Sequence, residues 1–354
     1  MNEYVVSLLS DLIRMKPVSD QVNNVNRVID RLQSELAAAG LYCKVEDIDG
    51  RKSLYAATVE GKTPDYLLNA HVDVVPADDH LFEPRIKDGY MYARGTKDCL
   101  GACICMLEIL KQLKGKASCG AIFSSDEEIG GATTAEMVKR GYGANKAVIV
   151  IDSYWPAISY AQKGIMIVKL TAESVAGGGH SSAPWAIENP IEILMEDYAK
   201  IRAKWENPTA DNQWKKSISP TIINGGFVHN QIPSEATLTM NIRIVEAAEV
   251  QEVKDLIKEC CRSKAEIHVD CLPVTTSVDH PEVIRLRQTL ADALKMEIPL
   301  IRMNGATDAR AFVELGKPIA ILGIDGKGSH STEEFARIDS ITELADTLVK
   351  FIAG

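Results

Sequence analysis

The run AVIVID at 147–152 constrains the fold more than any other stretch of the chain. Five apolar residues follow one another, four of them β-branched, and an acid closes the run. Such a stretch suits a strand buried on both faces, as in a sheet covered by helices on each side. Three more segments read the same way: LYAAT (54–58), YLLNAHVDVV (66–75) and GAIFSS (120–125). Helical periodicity separates or precedes them, at 4–14, 22–39, 100–114 and 132–140. In 22–39 the apolar stripe is Val25, Val28, Ile29, Leu32 and Leu36. Alternation of buried strands with helices predicts an α/β domain with a largely parallel sheet.

Near residue 164 the pattern changes. Strand 165–173, helix 190–205, strands around SPTIINGGFV and ATLTMNIRIV, helix 250–261 and strand 265–272 follow in order. This β-α-β-β-α-β sequence is the ferredoxin-like split βαβ arrangement. Beyond it, α/β alternation resumes with helix 281–295, segment 298–303, helix 307–315, strand 318–324 and helix 339–352. The expectation is therefore one domain built from 1–163 and 275–354, with a second, 164–274, inserted into it. A length of 354 residues suits two domains.

The net charge of −10 argues against nucleic acid as a partner. No stretch approaches the roughly 20 apolar residues needed to span a bilayer, so no membrane role is expected. The N-terminal run is interrupted by Asp11 and Arg14 and reads as an amphipathic helix, not a signal peptide. The eight cysteines form no CxxC pair. Cys99, Cys103 and Cys105 lie in an apolar run, which suits reduced core residues of a cytoplasmic protein.

Chemistry gathers where strands end. AHVDVVP carries His71 and Asp73 two positions apart, on one face if the strand continues through them. RGTKDCLG carries Asp98, SSDEEIGG carries Asp126, Glu127 and Glu128, VIVIDSY carries Asp152, and GKGSHSTEEF carries His330. Singly, each has an ordinary explanation as a cap, a turn or a solvated loop. Together they place acids and imidazoles at the ends of separate elements of one α/β domain, where such sheets bind ligands. Clustered carboxylates need cations, and imidazole with carboxylate is a ligand set for zinc and its neighbours. The spacing makes a metal site plausible. No GxSxG elbow, Walker loop or GxGxxG occurs.

These motifs, with the DG-Y-ARGT-KD stretch (88–98) and the late histidine, resemble the co-catalytic zinc hydrolases. That family includes acetylornithine deacetylase, succinyl-diaminopimelate desuccinylase, aminoacylase, carboxypeptidase G and bacterial di- and tripeptidases. The resemblance covers nearly the whole chain. It implies a zinc-exopeptidase-like catalytic domain and an inserted lid and dimerisation domain. It implies two Zn2+ per chain, with Co2+ or Mn2+ as substitutes: one held by His71 and Asp152, one by Glu128 and His330, with Asp98 bridging. Asp73 would orient His71, and Glu127 would be the general base. His180 in GGGHSS would help bind the scissile carbonyl, in dimeric relatives from the neighbouring subunit. Asn230 in HNQIP would donate to the same oxyanion or to the substrate. Arg243 in MNIRI would bind a substrate carboxylate, and the backbone of Gly305, Ala306 and Thr307 would meet the substrate.

The sequence also departs from the family. Leu100 stands where relatives usually carry Lys, and Ala93 where they often carry Gly. AQKG (161–164) lacks the Arg of the desuccinylase, which counts against a succinyl-diaminopimelate substrate. The expected activity is hydrolysis of the amide of an N-acyl amino acid, with dipeptidase or carboxypeptidase action as the alternative. A non-catalytic metabolite-binding relative would be expected to lose a ligand or Glu127. A magnesium enzyme handling phosphates fits poorly with two histidines and no phosphate loop.

Overall fold

The computed structural model describes residues 2–354. The chain divides into two compact units. The larger comprises Met1–Ala161, Val274–Arg302 and Thr307–Gly354; the smaller comprises Gln162–Pro273 and Met303–Ala306.

The larger unit is built on a twisted sheet. At its centre Cys119–Ser124, Tyr66–His71, Ala147–Ile151 and Ile319–Leu322 lie side by side, all parallel. Every residue of these four strands is buried, as expected of a sheet covered on both faces. Arg51–Ala57 and Tyr42–Ile48 extend one side antiparallel, and Ile158–Gln162 joins the other side antiparallel. Helix Leu100–Leu113 is buried almost all round, because Glu3–Arg14 and Ile338–Ala353 pack on it while it lies against the strands. Among the described residues no helix is long and apolar enough to cross a membrane.

A second, four-stranded sheet in this unit has no counterpart in the sequence reading. It orders Gly326–Lys327, Phe335–Arg337, Tyr90–Tyr92 and Arg85–Lys87, all antiparallel. Asp88 and Gly89 make its hairpin turn, both with positive φ (51° and 82°), the conformation an Asp-Gly pair favours. The sheet sets the loop after Tyr92 beside the loop before Phe335.

Two local expectations change. The strand at 66–75 stops at His71, so Asp73 does not share a strand face with it. Val74 instead bonds to Pro17 O (3.0 Å) and pairs with Val18. The segment 307–315 forms a 3-10 helix, Asp308–Leu315, capped by the Thr307 side chain.

The smaller unit has the strand order Ser217–Gly225, Glu235–Ile244, Gly164–Glu173, Lys264–Cys271, all antiparallel. Helices Pro190–Ala203 and Glu249–Cys260 pack on it. The two middle strands alternate buried and partly exposed residues, so one face makes the core with Ile193, Leu194, Val253 and Ile257. Ser217–Gly225 is an edge strand, irregular between Pro220 and Ile222, with Ile222 and Ile223 exposed.

Candidate metal centre

The parallel strands deliver their carboxyl ends to one place. His71 ends its strand, Asp152 follows Ile151, and the turn after Ser124 presents Glu127 and Glu128. The loops joined by the small sheet bring Asp98 and His330. Two groups of donor atoms form, each within 4.8 Å: His71, Asp98, Cys99 and Asp152; and Asp98, Glu128 and His330. Asp98 belongs to both and uses a different oxygen for each. Its Oδ1 lies 3.1 Å from His71 Nε2, and its Oδ2 lies 3.5 Å from His330 Nε2. His71 Nε2 is 4.0 Å from Asp152 Oδ2, and His330 Nε2 is 2.9 Å from Glu128 Oε2.

The surroundings fix these groups. His71 Nδ1 donates to Asp73 O (2.9 Å). That bond leaves Nε2 as the nitrogen facing the carboxylates, the arrangement a metal-binding imidazole needs. The Asp73 carboxylate lies 3.5 Å from the same Nδ1, but its shorter bonds go elsewhere. It accepts from Ser19 Oγ (2.7 Å), Glu127 N (3.1 Å) and Glu128 N (3.3 Å). One fully buried carboxylate therefore ties His71 to the turn carrying both glutamates. Gly131, next to that turn, has φ +67°, and a Cβ there would lie 2.3 Å from Asp308 Oδ1. Asp308 accepts from Ser124 Oγ (2.5 Å) and Thr134 Oγ1 (2.6 Å). Glu127 Oε1 is 3.9 Å from Arg310 Nη2.

The electrostatics are those of a site short of positive charge. Burial, reinforced by Asp152 and Asp308 against His71 and Arg310, pushes the Glu127 carboxyl up to about 9. Burial and the charge of Asp98 push Asp152 up to about 6. The hydrogen bond His330 donates to Glu128 raises its pKa. Burial opposes charge on His71, but Cys99, Asp73 and Asp98 outweigh it and raise its pKa. Burial would raise Asp98 too; the His71 bond and charge overcome it and hold Asp98 below the usual carboxylate range. Protons collect where cations would otherwise sit. The donor set, the shared carboxylate and this charge deficit all fit a pair of divalent metal ions.

Sequence reasoning passed over the residues that build the Asp98 loop. Glu334 is almost fully buried and accepts from Gly95 N (3.0 Å), Lys97 N (3.0 Å), Asp98 N (3.1 Å) and the Arg94 guanidinium. Lys97 Nζ donates to Ser153 O (2.7 Å), beside Asp152. All eight cysteines are free. The Cys99 thiol donates to Ile151 O (3.1 Å) and the Cys103 thiol to His71 O (3.2 Å), and burial pushes Cys99 up to about 12.

The remaining sequence candidates lie in or beside the smaller unit. His180 is exposed; its Nδ1 meets Ser182 Oγ (2.8 Å), and it pairs with Gln231 across a short ladder. Asn230 O accepts from Ser181 N (3.0 Å). Arg243 stands on Glu235–Ile244 with its Nε on Asn241 Oδ1 (3.1 Å). Gly305 and Ala306 group with the smaller unit and Thr307 with the larger.

Paired acid and imidazole groups beside the carboxyl ends of parallel strands give this α/β protein the donor set of a metal centre. The model of peptidase family M20/M25/M40 matches residues 67–354, and the chain belongs to that family. A curated relative, the probable succinyl-diaminopimelate desuccinylase of Staphylococcus epidermidis, is 24% identical over 96% of this chain and 95% of its own. An M20 family metallo-carboxypeptidase from Sulfolobus solfataricus superposes with a TM-score of 0.81 at 18% identity, covering 100% of this chain and 99% of that one. A dinuclear metal-binding M20 peptidase from Bacillus subtilis gives a TM-score of 0.70 at 12% identity, covering 99% and 97%. The chain is thus a metal-dependent amide hydrolase, whose substrate is a peptide or an acyl amino acid.

Proposed function

We propose that this enzyme removes the acyl group from an N-acyl amino acid, with two zinc ions per chain and cobalt or manganese as working substitutes. The observation that carries the reading is Asp98, which offers one oxygen to each histidine-containing group. His71 and Asp152 would hold one ion and Glu128 and His330 the other, with Asp98 shared between them. When bound, the metal pair supplies a polarised carbonyl and a water acidified to near neutrality.

The chain's own groups do the rest. Glu127 takes the proton of the attacking water and hands it to the leaving amine. Its low exposure and the negative charges around it favour its protonated form. Asp73 holds Glu127 and His71 in register with each other. His180 and Asn230 donate to the oxyanion when the smaller unit closes as a lid. Arg243 takes the substrate carboxylate with its planar fork, and the backbone at Gly305, Ala306 and Thr307 lines the substrate. An N-acyl substrate agrees with the name of the curated relative. The missing Arg in AQKG argues for an acyl group other than succinyl on diaminopimelate. Dipeptidase or carboxypeptidase action is the second reading, favoured by the name of the Sulfolobus structure. A panel of N-acetyl, N-succinyl and dipeptide substrates with added zinc separates the two. Faster cleavage of dipeptides than of every N-acyl amino acid would overturn the first reading. In the same panel Arg243→Ala should raise KM roughly 10- to 100-fold for free carboxylates, the loss of one charged hydrogen-bonded contact. An equal loss on carboxyl-amidated analogues would contradict its role.

We also propose a homodimer formed through the lid. The edge strand exposes Ile222 and Ile223 beside Met195, and with Leu194 and Tyr198 they line an apolar groove of about 300 Å³. An unpaired strand edge with such a face suits pairing with a second copy. His180→Ala mixed with a variant lacking a metal ligand should then regain activity. A confirmed mixed dimer without recovery would place His180 in its own subunit's site. The free thiols suit a reducing cytoplasm.

A further inference from the structure

The ligands of the centre are not held in the same way. His71 and Asp152 stand at the ends of buried strands, anchored by the central sheet. Asp98 and His330 stand on loops. His330 has a positive φ of 64° and a side chain 56% exposed, so neither packing nor regular structure holds it.

What joins the two loops is a buried ion pair. From the first loop, Arg94 donates to the Glu334 carboxylate and, through Nη2, to Ser331 O (3.1 Å). From the second, Glu334 accepts backbone N–H groups with both oxygens: Oε2 from Gly95 (3.0 Å), Oε1 from Lys97 (3.0 Å) and Asp98 (3.1 Å). Side-chain exposure is 4% for Arg94 and 1% for Glu334. Ser331 N in turn bonds to Gly328 O (2.8 Å), closing the turn that carries His330. Each loop is thus gripped by a charged side chain of the other, one bond from a ligand on each side.

We propose that Arg94 and Glu334 are positioning residues that set the affinity of the Glu128–His330 half of the metal centre. The proposal rests on the two-metal reading above. Without the clamp the Asp98 backbone loses its acceptor and the His330 turn loses its tie. The His71–Asp152 half shares Asp98 but keeps two strand anchors, whereas the Glu128–His330 half loses the ties on both of its loop residues, Asp98 and His330, so the damage is unequal. Outer partners of metal ligands are worth roughly 10- to 100-fold in affinity, and a buried pair aligned on backbone N–H groups belongs at that level.

The test titrates metal-free, full-length protein with Zn2+ against a chromogenic chelator. The wild type takes two equivalents. Glu334→Gln and Arg94→Lys should each keep one equivalent within about threefold of wild-type affinity and weaken the other by roughly 10- to 100-fold. Turnover should return towards wild type as zinc is raised to saturation. Lysine at 94 keeps the charge but not the fork, so it tests the geometry if the glutamine variant folds poorly. Leu348→Ala, a core cavity in the last helix, supplies a fold control: it should lower the melting temperature of the metal-free protein and leave both zinc affinities in place. Two unchanged affinities in a folded clamp variant would overturn the proposal, as would equal weakening of both. If the wild type takes fewer than two equivalents, the two-metal reading itself fails, an outcome distinct from the clamp's.

Discussion

Glu127→Gln should lower kcat roughly 10²- to 10⁴-fold, the usual worth of a general base, while both metal equivalents stay bound. Glutamine keeps the shape of the side chain and removes the site for the proton. The proposed metal donors are other residues, and the turn is held from outside by Asp73 through the Glu127 and Glu128 backbone N–H groups. Metal content by atomic emission should therefore stay near wild type. KM should change little, because the variant alters proton transfer and not substrate contacts. Wild-type kcat in the variant would remove Glu127 from the mechanism. Loss of metal along with activity would recast it as a ligand or a structural residue.

Asp98→Ala should have the largest effect of all. One residue serves both histidine-containing groups, so its removal strips an oxygen from each. It also takes away the oxygens facing His71 Nε2 and His330 Nε2, leaving Asp152 and Glu128 as their carboxylate neighbours. Metal content should fall from two equivalents towards zero, and activity with it, without recovery at high zinc. By contrast His330→Ala should retain the metal at His71 and Asp152. A variant at position 98 that keeps two tightly bound ions would show that the centre does not depend on a shared carboxylate. Metal uptake by the wild-type apoprotein should release protons, because Glu127, Asp152 and both histidines are held towards their protonated forms. Calorimetry in buffers of different ionisation heat measures that release.

Where the sequence was readable, burial made it so. The runs ending at His71, Ser124 and Ile151 are mostly apolar because they are covered on both faces, and few other structures tolerate that pattern. The acids after them could be placed at strand ends from the same pattern. Sorting them into two pairs and a bridge came from family resemblance, since spacing carries no information on which residue of one loop meets which of another. The small sheet was hidden because its strands are two or three residues long, and Arg85–Lys87 is exposed throughout. The Asp88–Gly89 pair was a hairpin signal in plain view. Tyr42–Ile48 escaped for a similar reason, being a polar outer strand without an apolar run. Glu334 follows His330 in a polar stretch with nothing in the sequence to single it out; only the fold reveals three backbone N–H groups converging on it.

The order of strands in the central sheet bears on how the protein is made. Ala147–Ile151 and Ile158–Gln162 are close in the chain, yet Ile319–Leu322 lies between them in the sheet. While the chain emerges from the ribosome, that slot stays open through synthesis of the whole smaller unit. Two unsatisfied strand edges face each other across it, and such edges invite pairing with other chains. Placing the late strand between them joins segments far apart in the chain, a long-range step of the slow kind. Chains cut short before residue 319 should accumulate as aggregates, which sedimentation of the truncated product against one extending past residue 322 measures.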